Sequence, residues 1–244
     1  MLGLPDDIRA FLFDMDGVLT ETAKVHAAAW KETFDAVLQE RATADGTPFV
    51  PFDAVADYGP YVDGKPRYEG VDSFLRSRGI ALPWGTPDDP PGHGTVCAVG
   101  NDKNDRVQHL IRTKGVDAFP GSVRYLDAVK AAGLPCAVVS SSANTVEVLK
   151  AAGISDYFTA RVDATVADTQ HLKGKPAPDT FLAAATMLGV PHEHAVVFED
   201  ALAGVEAGRA GHFGAVVGVN RLDHADALRE HGATIVVDDL EDLL

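Results

Sequence analysis

Four short polar stretches carry the side chains whose types and spacing could do chemistry. They are Asp14 and Asp16 in Asp14-Met-Asp-Gly17, Ser140 and Ser142 in Ser140-Ser-Ser142, Lys175 in Lys175-Pro-Ala-Pro178, and the adjacent pair Glu199-Asp200. Carboxylates gathered at one point repel one another unless a cation sits among them. Hard oxygen donors that leave room for water suit Mg2+. Phosphoryl transfer asks for such a set: charge neutralisation, an in-line nucleophile and a group that manages the proton. A carboxylate can be that nucleophile by forming an aspartyl-phosphate. A second carboxylate two residues on can protonate the leaving oxygen and later deprotonate an attacking hydroxyl. Gly17 lets the backbone turn away after the acidic pair, and the Ser140 hydroxyl could hold a phosphoryl oxygen.

Taken singly, each stretch has a plainer reading. Asp-x-Asp after a strand is a solvated turn, a serine run before a helix is an N-cap, and Glu-Asp at a helix start suits the helix dipole. The elements around them argue for convergence instead. Ala10-Phe-Leu-Phe13 is a short apolar run that reads as a buried strand. A helix with Val25, Ala29, Trp30, Phe34, Val37 and Leu38 on one stripe is predicted from Thr20 or Glu21 to about Glu40. After Pro120-Gly121 the pattern becomes regular: helix Ser122–Ala132, strand Cys136–Val139, helix Asn144–Ala152, a weak strand near Thr159–Val162, and helix Asp179–Leu188. Strand Ala195–Phe198, helix Ala201–Ala210, strand Ala215–Val219, helix Ala225–His231 and strand Thr234–Val237 follow. Alternating β and α units with short connections predict an α/β fold, a doubly wound parallel sheet with right-handed crossovers. Ligands gather at the carboxyl ends of such strands, and all four stretches fall there or at the following helix start.

Residues from about 43 to 103 are dense in Gly and Pro, with helical patterns only at Val71–Arg78 and about Asn104–Lys114. This reads as an inserted helical domain. The expected division is residues 1–20 and 114–244 as the catalytic core and 21–113 as the insert, with linkers near 18–21 and 113–119.

The chain has 244 residues and a net charge of −15. Such a surface repels phosphate backbones, so nucleic acid and anionic membranes are poor partners. A phosphate-ester substrate would need local positive charge from the site itself. Cys97 and Cys136 have no metal-type spacing and read as reduced, buried thiols. The nine histidines form no HxxxH or HExxH pair, and no GxxxxGK[ST] run supports ATP use. No basic-then-apolar leader and no apolar stretch of membrane-spanning length is present, so the expected setting is cytoplasmic.

Together the four stretches resemble the haloacid dehalogenase (HAD) superfamily along almost the whole chain. The matching motifs are Asp14-Met-Asp-Gly-Val-Leu-Thr20, Val138-Val-Ser140, Gly174-Lys-Pro-Ala-Pro-Asp179 and Val197-Phe-Glu-Asp200. The resemblance implies a HAD-like Rossmannoid core and Asp14 as nucleophile, with Asp16 as general acid/base. It implies Mg2+ held by Asp14, the Asp16 carbonyl and Asp200, with Glu199 as a neighbouring or water-mediated ligand. The insert is then a cap that closes over the site. Within the superfamily the chain is most similar to the β-phosphoglucomutase-like family. Thr22, His26 and Trp30 match its cap entry, Gly64 and Arg67 its phosphate-gripping cap loop, Lys103 its cap lysine, and Ser142 and Asn144 its second-motif phosphate contacts.

Three features depart from that pattern. Ala143 stands where a lysine is common, Asp63 stands where a basic residue is common, and residues 83–94 look like an extra loop. Lys65 or Arg106 could supply the missing cation. The reaction implied is isomerisation of β-glucose 1-phosphate to glucose 6-phosphate through the 1,6-bisphosphate, by a monomer acting on a small sugar phosphate. The alternatives are a sugar-phosphate phosphatase, with the same first half-reaction, and a non-enzymatic phospho-aspartate switch.

Overall fold

The computed structural model describes residues 2–244, without the side chains of Ala23, Lys24 and Lys114. In chain order its strands and α-helices begin with β1 (Ala10–Phe13), α1 (Thr22–Asp45), α2 (Tyr58–Tyr61), α3 (Arg67–Ser77), α4 (Val96–Lys114) and α5 (Pro120–Ala131). They continue with β2 (Cys136–Val139), α6 (Thr145–Ala151), β3 (Ala160–Val162), α7 (Ala164–Gln170) and α8 (Asp179–Met187). The last are β4 (Ala195–Glu199), α9 (Leu202–Ala210), β5 (Ala215–Val219), α10 (Ala225–His231) and β6 (Ile235–Val237). Two compact units result: Met1–Thr22 with Val116–Leu244, and Ala23–Gly115.

The first unit is built on a six-stranded sheet of order β3-β2-β1-β4-β5-β6, parallel throughout. The central strands are buried at every position, because both faces are covered, and apolar except for Glu199 at the carboxyl end of β4. Strand alternation sorts their side chains. Ala10 and Leu12 of β1 join Ala137, Val139, Val162, Ala195 and Val197 against Phe181, Ala184 and Ala185 of α8. On the other face Phe11, Phe13 and Phe198 stack, with Phe13 and Phe198 centroids 4.4 Å apart and Tyr125 of α5 edge-on to Phe198 at 5.5 Å. Aromatic pairs in these geometries add to area burial.

The second unit has its own core of Trp30, Phe34, Val37, Phe52, Val71, Phe74 and Val99. Its helices depart from the sequence reading: α2 has no counterpart there, α3 begins at Arg67, four residues before the expected Val71, and α1 and α4 are longer than expected. Helix α1 runs past Glu40 to Asp45 and is followed by Gly46 at φ +66°. Helix α4 begins at Val96, eight residues before the expected start. Its first free N–H groups find acceptors in the preceding Pro-rich loop: Val96 N donates to Pro83 O at 2.9 Å, Cys97 N to Trp84 O at 3.0 Å, and Ala98 N to Thr95 Oγ1 at 3.0 Å. The 83–94 segment is therefore a backbone cap on α4. Asp89 braces it by accepting from Thr86 and Thr95, which hold its carboxyl below the usual range. Helix α7 was not anticipated; Asp163 caps it by accepting from Val166 N at 3.0 Å.

Candidate active site

Register brings the polar stretches of the first unit together. Phe13 of β1 lies opposite Val138 of β2 and Phe198 of β4. Asp14, Ser140 and Glu199-Asp200 therefore leave the sheet at one edge. The chain winds outward from β1 through β2 to β3, then restarts at β4 on the other side of β1. The β1–β4 boundary is thus the switch point where a parallel sheet opens a crevice. Asp14 N donates to Phe198 O at 2.9 Å and ties the two strand ends together.

Lys175, in the loop before α8, is buried at this edge. Its Nζ donates to Asp14 Oδ1 and to Val139 O at 3.3 Å, and it pairs with Glu199 Oε1 at 2.6 Å. It also lies 5.1 Å from the Phe181 ring centroid, and the Lys175–Pro176 peptide is cis. Asp14, Glu199 and Asp200 are all buried, and one carboxylate oxygen from each lies within 4.8 Å of the others. Burial foremost pushes the Asp14 carboxyl well above its ordinary range; Glu199 and Asp16 push the same way, and Lys175 opposes them. Burial also works against the Lys175 charge, but Asp14 and Glu199 outweigh it and hold the ammonium above its ordinary value. One ammonium against three buried carboxylates leaves surplus negative charge. Among the described residues this all-oxygen cluster fits a hard divalent cation.

The turn after β1 is knitted to itself. Thr20 N and Leu19 N donate to Met15 O at 3.0 and 2.9 Å, and Gly17 N donates to Thr20 O at 2.9 Å. The Thr22 hydroxyl donates to Asp16 Oδ1, and it shares a hydrogen bond of 2.7 Å with Thr20 Oγ1. Thr22, grouped by resemblance with the substrate contacts, has its buried hydroxyl directed at the proposed acid/base. Ser122 Oγ in α5 donates to Val18 O at 2.6 Å. Gly17 sits at φ +88°, and a β-carbon there would overlap the Asp200 carboxylate. Gly204 stands in the same relation to Glu199. Glu199 Oε2 also accepts from Ala201 N at 3.2 Å.

After β2, Ser140 N donates to Val162 O at 3.0 Å, while Ser140 Oγ accepts from Ser142 N at 3.1 Å. Ser142 Oγ in turn accepts from Asn144 N at 3.1 Å. Among the described residues the Ser140 hydroxyl only accepts, which leaves its O–H proton to donate. Ala143 is exposed and Asn144 buried.

Two further contacts were not visible in the sequence. Arg221 Nε donates to Gly17 O at 2.8 Å, and His224 Nε2 donates to Asp200 O at 3.2 Å. Their only sequence signal is position: both follow β5, a strand beside β4, at the carboxyl edge.

The remaining candidates belong to the second unit. Lys103 Nζ lies 2.9 Å from His26 Nδ1 and 4.6 Å from the Trp30 ring centroid. Trp30 stacks on Phe34 at 4.9 Å and is part of that unit's core. Arg67 donates to Tyr68 OH at 3.1 Å, and Gly64 adopts φ +69°. Arg106 is held by Asp102 at 3.0 Å and Glu32 at 3.2 Å, and Lys65 donates to Pro60 O and Ser73 Oγ at 3.0 Å.

Residues 8–212 match the family model of haloacid dehalogenase-like hydrolases. The chain is 56% identical to a β-phosphoglucomutase of Mycobacterium tuberculosis, covering 100% of this chain and 94% of that one. It is 33% identical to the β-phosphoglucomutase of Bacillus subtilis over 86% of this chain and 84% of that one. Among solved structures, a β-phosphoglucomutase from Clostridium difficile superposes with a TM-score of 0.74 at 27% identity, covering 97% of this chain and 93% of that one.

Proposed function

The chain belongs to the haloacid dehalogenase-like hydrolase family, and from that premise we propose that it is a mutase converting β-glucose 1-phosphate to glucose 6-phosphate through the 1,6-bisphosphate. The observation that carries the reading is the junction of Asp14, Lys175, Glu199 and Asp200 at the β1–β4 switch point. Mutase chemistry, among the activities of the family, is supported by 56% identity to a β-phosphoglucomutase across the whole chain.

Asp14 carries the phosphoryl group as an aspartyl-phosphate and gives it to the free hydroxyl of the sugar monophosphate. The sugar turns over as the bisphosphate, and Asp14 takes back the other phosphoryl group as the bond to the sugar oxygen breaks. Asp16 removes the proton of the attacking hydroxyl in one half-reaction and returns it to the leaving oxygen in the other. The Thr22 hydroxyl supports this role by orienting the Asp16 carboxylate. Lys175 keeps Asp14 aimed and offsets its charge, and the Ser140 O–H donates to a phosphoryl oxygen. Asp14, Asp200 and the Asp16 carbonyl, with Glu199 beside them, would hold Mg2+, which would supply charge neutralisation for the transferring group. The Ala23–Gly115 unit acts as the cap. Arg67 and Lys103 with Ser142 and Asn144 hold the non-reacting phosphate, and His26, Trp30 and Gly64 shape the sugar site. Binding energy spent there orients the reacting hydroxyl. A chain carrying −15 charges is expected to stay monomeric, and we place it in the cytoplasm.

The test is phosphorus NMR of β-glucose 1-phosphate with Mg2+ and a trace of the 1,6-bisphosphate. Glucose 6-phosphate should grow as the starting signal falls. Inorganic phosphate as the sole product would reassign the chain to the phosphatases of its family.

A further inference from the structure

The segment from Asn220 to His224, between β5 and α10, makes two contacts that the phosphoryl-transfer steps do not use. Arg221 Nε donates to Gly17 O at 2.8 Å, and His224 Nε2 donates to Asp200 O at 3.2 Å. These two carbonyls lie on the two loops that carry the acidic groups, one directly after Asp16 and one on Asp200 itself.

The segment is also anchored from behind. Arg221 Nη1 donates to Asp238 O at 3.0 Å and Asp239 Oδ2 at 3.1 Å, and the guanidinium lies 3.8 Å from the Phe119 ring centroid. Asn220 closes the turn, accepting from His224 N at 2.7 Å and donating to Asp238 Oδ1 at 2.9 Å. Asp239 balances the guanidinium charge, so what Arg221 contributes is geometry: two donor directions fixed by a planar group. The space between the two loops has no slack, because the Gly17 α-carbon packs against the Asp200 carboxylate with no room for a methyl group. A shift of the Gly17 peptide therefore moves Asp200.

We propose that Arg221 is a positioning residue which, by holding Gly17 O while His224 holds Asp200 O, sets the spacing of the two acidic loops and with it the affinity of the site for a divalent cation. Outer partners of metal ligands act in this way, by orienting the donors. The inference rests on the reading of Asp14, Asp16 and Asp200 as the metal-binding groups.

The probe is Mn2+, titrated into the metal-free full-length protein and followed by electron paramagnetic resonance. Arg221→Met keeps the apolar stem and removes every donor; it should bind Mn2+ about 10-fold more weakly, with kcat reduced and KM for the sugar phosphate unchanged. Arg221→Lys, whose donors radiate from one nitrogen on a flexible stem and cannot span both sides as the planar fork does, should fall between it and the parent. His224→Ala should also weaken Mn2+ binding, and His224→Gln, whose amide N–H can reach the same carbonyl, should restore it. Mn2+ affinity within twofold of the parent in Arg221→Met, even with a lowered Tm, would make Arg221 a packing residue and overturn the proposal. Should Arg221→Met not fold, equal affinities in His224→Ala, His224→Gln and the parent overturn it instead. The titration needs no sugar. Unchanged Mn2+ binding in a variant of a working mutase defeats this inference alone. The expected loss of affinity in a protein that does not isomerise the sugar phosphate defeats the functional reading alone.

Discussion

Gly17 shows how narrow the tolerance is at single residues. Its φ of +88° disfavours any side chain, and its α-carbon touches the Asp200 carboxylate. Gly17→Ala should therefore lower kcat by about 10²-fold, in the range seen when groups supporting a metal centre are disturbed. It should also weaken divalent-cation binding measured on the free protein; normal binding would show that the loop relaxes around the methyl group. The two aspartates of the same loop divide by what they touch. Asp14 is buried against Lys175, whereas Asp16 is held by the Thr22 hydroxyl. Asp14→Asn should take up no phosphoryl label from the bisphosphate. Asp16→Ala should still be labelled, yet should pass the group to sugar about 10²–10⁴-fold more slowly. Stable label on Asp14→Asn would move the nucleophile elsewhere. Residue type and position after a strand suffice to nominate Asp14, Asp16 and Asp200, and position before a helix start nominates Lys175. Arg221 and His224 were not legible in this way, because a backbone carbonyl accepts from any donor that reaches it and leaves no trace in residue type.

At the scale of elements, unbroken periodicity marks the strands, whereas a glycine or proline with a tertiary role hides the start of α4 and the short α7 carries no apolar period long enough to show. The six strands fall within a residue or two of their expected positions, since apolar runs between turn signals have few other uses. Helix α4 was read eight residues short because Gly100 and the Pro-rich stretch before Thr95 look like breakers. Gly100 is instead a contact point: a β-carbon there would lie 2.7 Å from the Tyr68 ring, which is pinned by hydrogen bonds to Arg67 and Asn101. Gly100→Ala poses the two effects against each other. Helix propensity favours alanine by about 1 kcal/mol, but overpacking against a fixed ring costs about 1–3 kcal/mol. The expected outcome is a small net loss of stability in urea denaturation; a gain would show that Tyr68 yields freely. Helix α5 starts two residues early, at Pro120, because proline at the first helical position gives up an N–H that has no helical partner.

Across the whole molecule, the titration of buried groups sets a limit on stability at high pH. Burial pushes the Cys136 thiol from its ordinary 9.0 up to about 12. Between those values the unfolded chain loses a proton that the folded chain keeps, so the Cys136 contribution to stability is constant below pH 9 and falls as pH rises from 9 towards 12. Cys136→Ala should flatten that part of the curve in chemical denaturation, whatever it costs at neutral pH; an unchanged slope would assign the effect to other groups, such as Tyr125. By itself the sequence determined the α/β class, the alternation that builds a parallel sheet, a Gly- and Pro-rich stretch that interrupts it, and a set of acidic and basic residues whose types suit phosphoryl transfer. Those follow from local chemistry: hydrophobic period, turn residues and ionisable types at strand ends. Only the tertiary structure decided the strand order that opens the crevice between β1 and β4, the burial that raises Asp14, and the fit of Gly17 against Asp200. It also decided that the segment after β5 reaches back to both acidic loops. Each of those depends on the register and distance between parts of the chain as much as 204 residues apart, and a one-dimensional pattern of residue types carries neither.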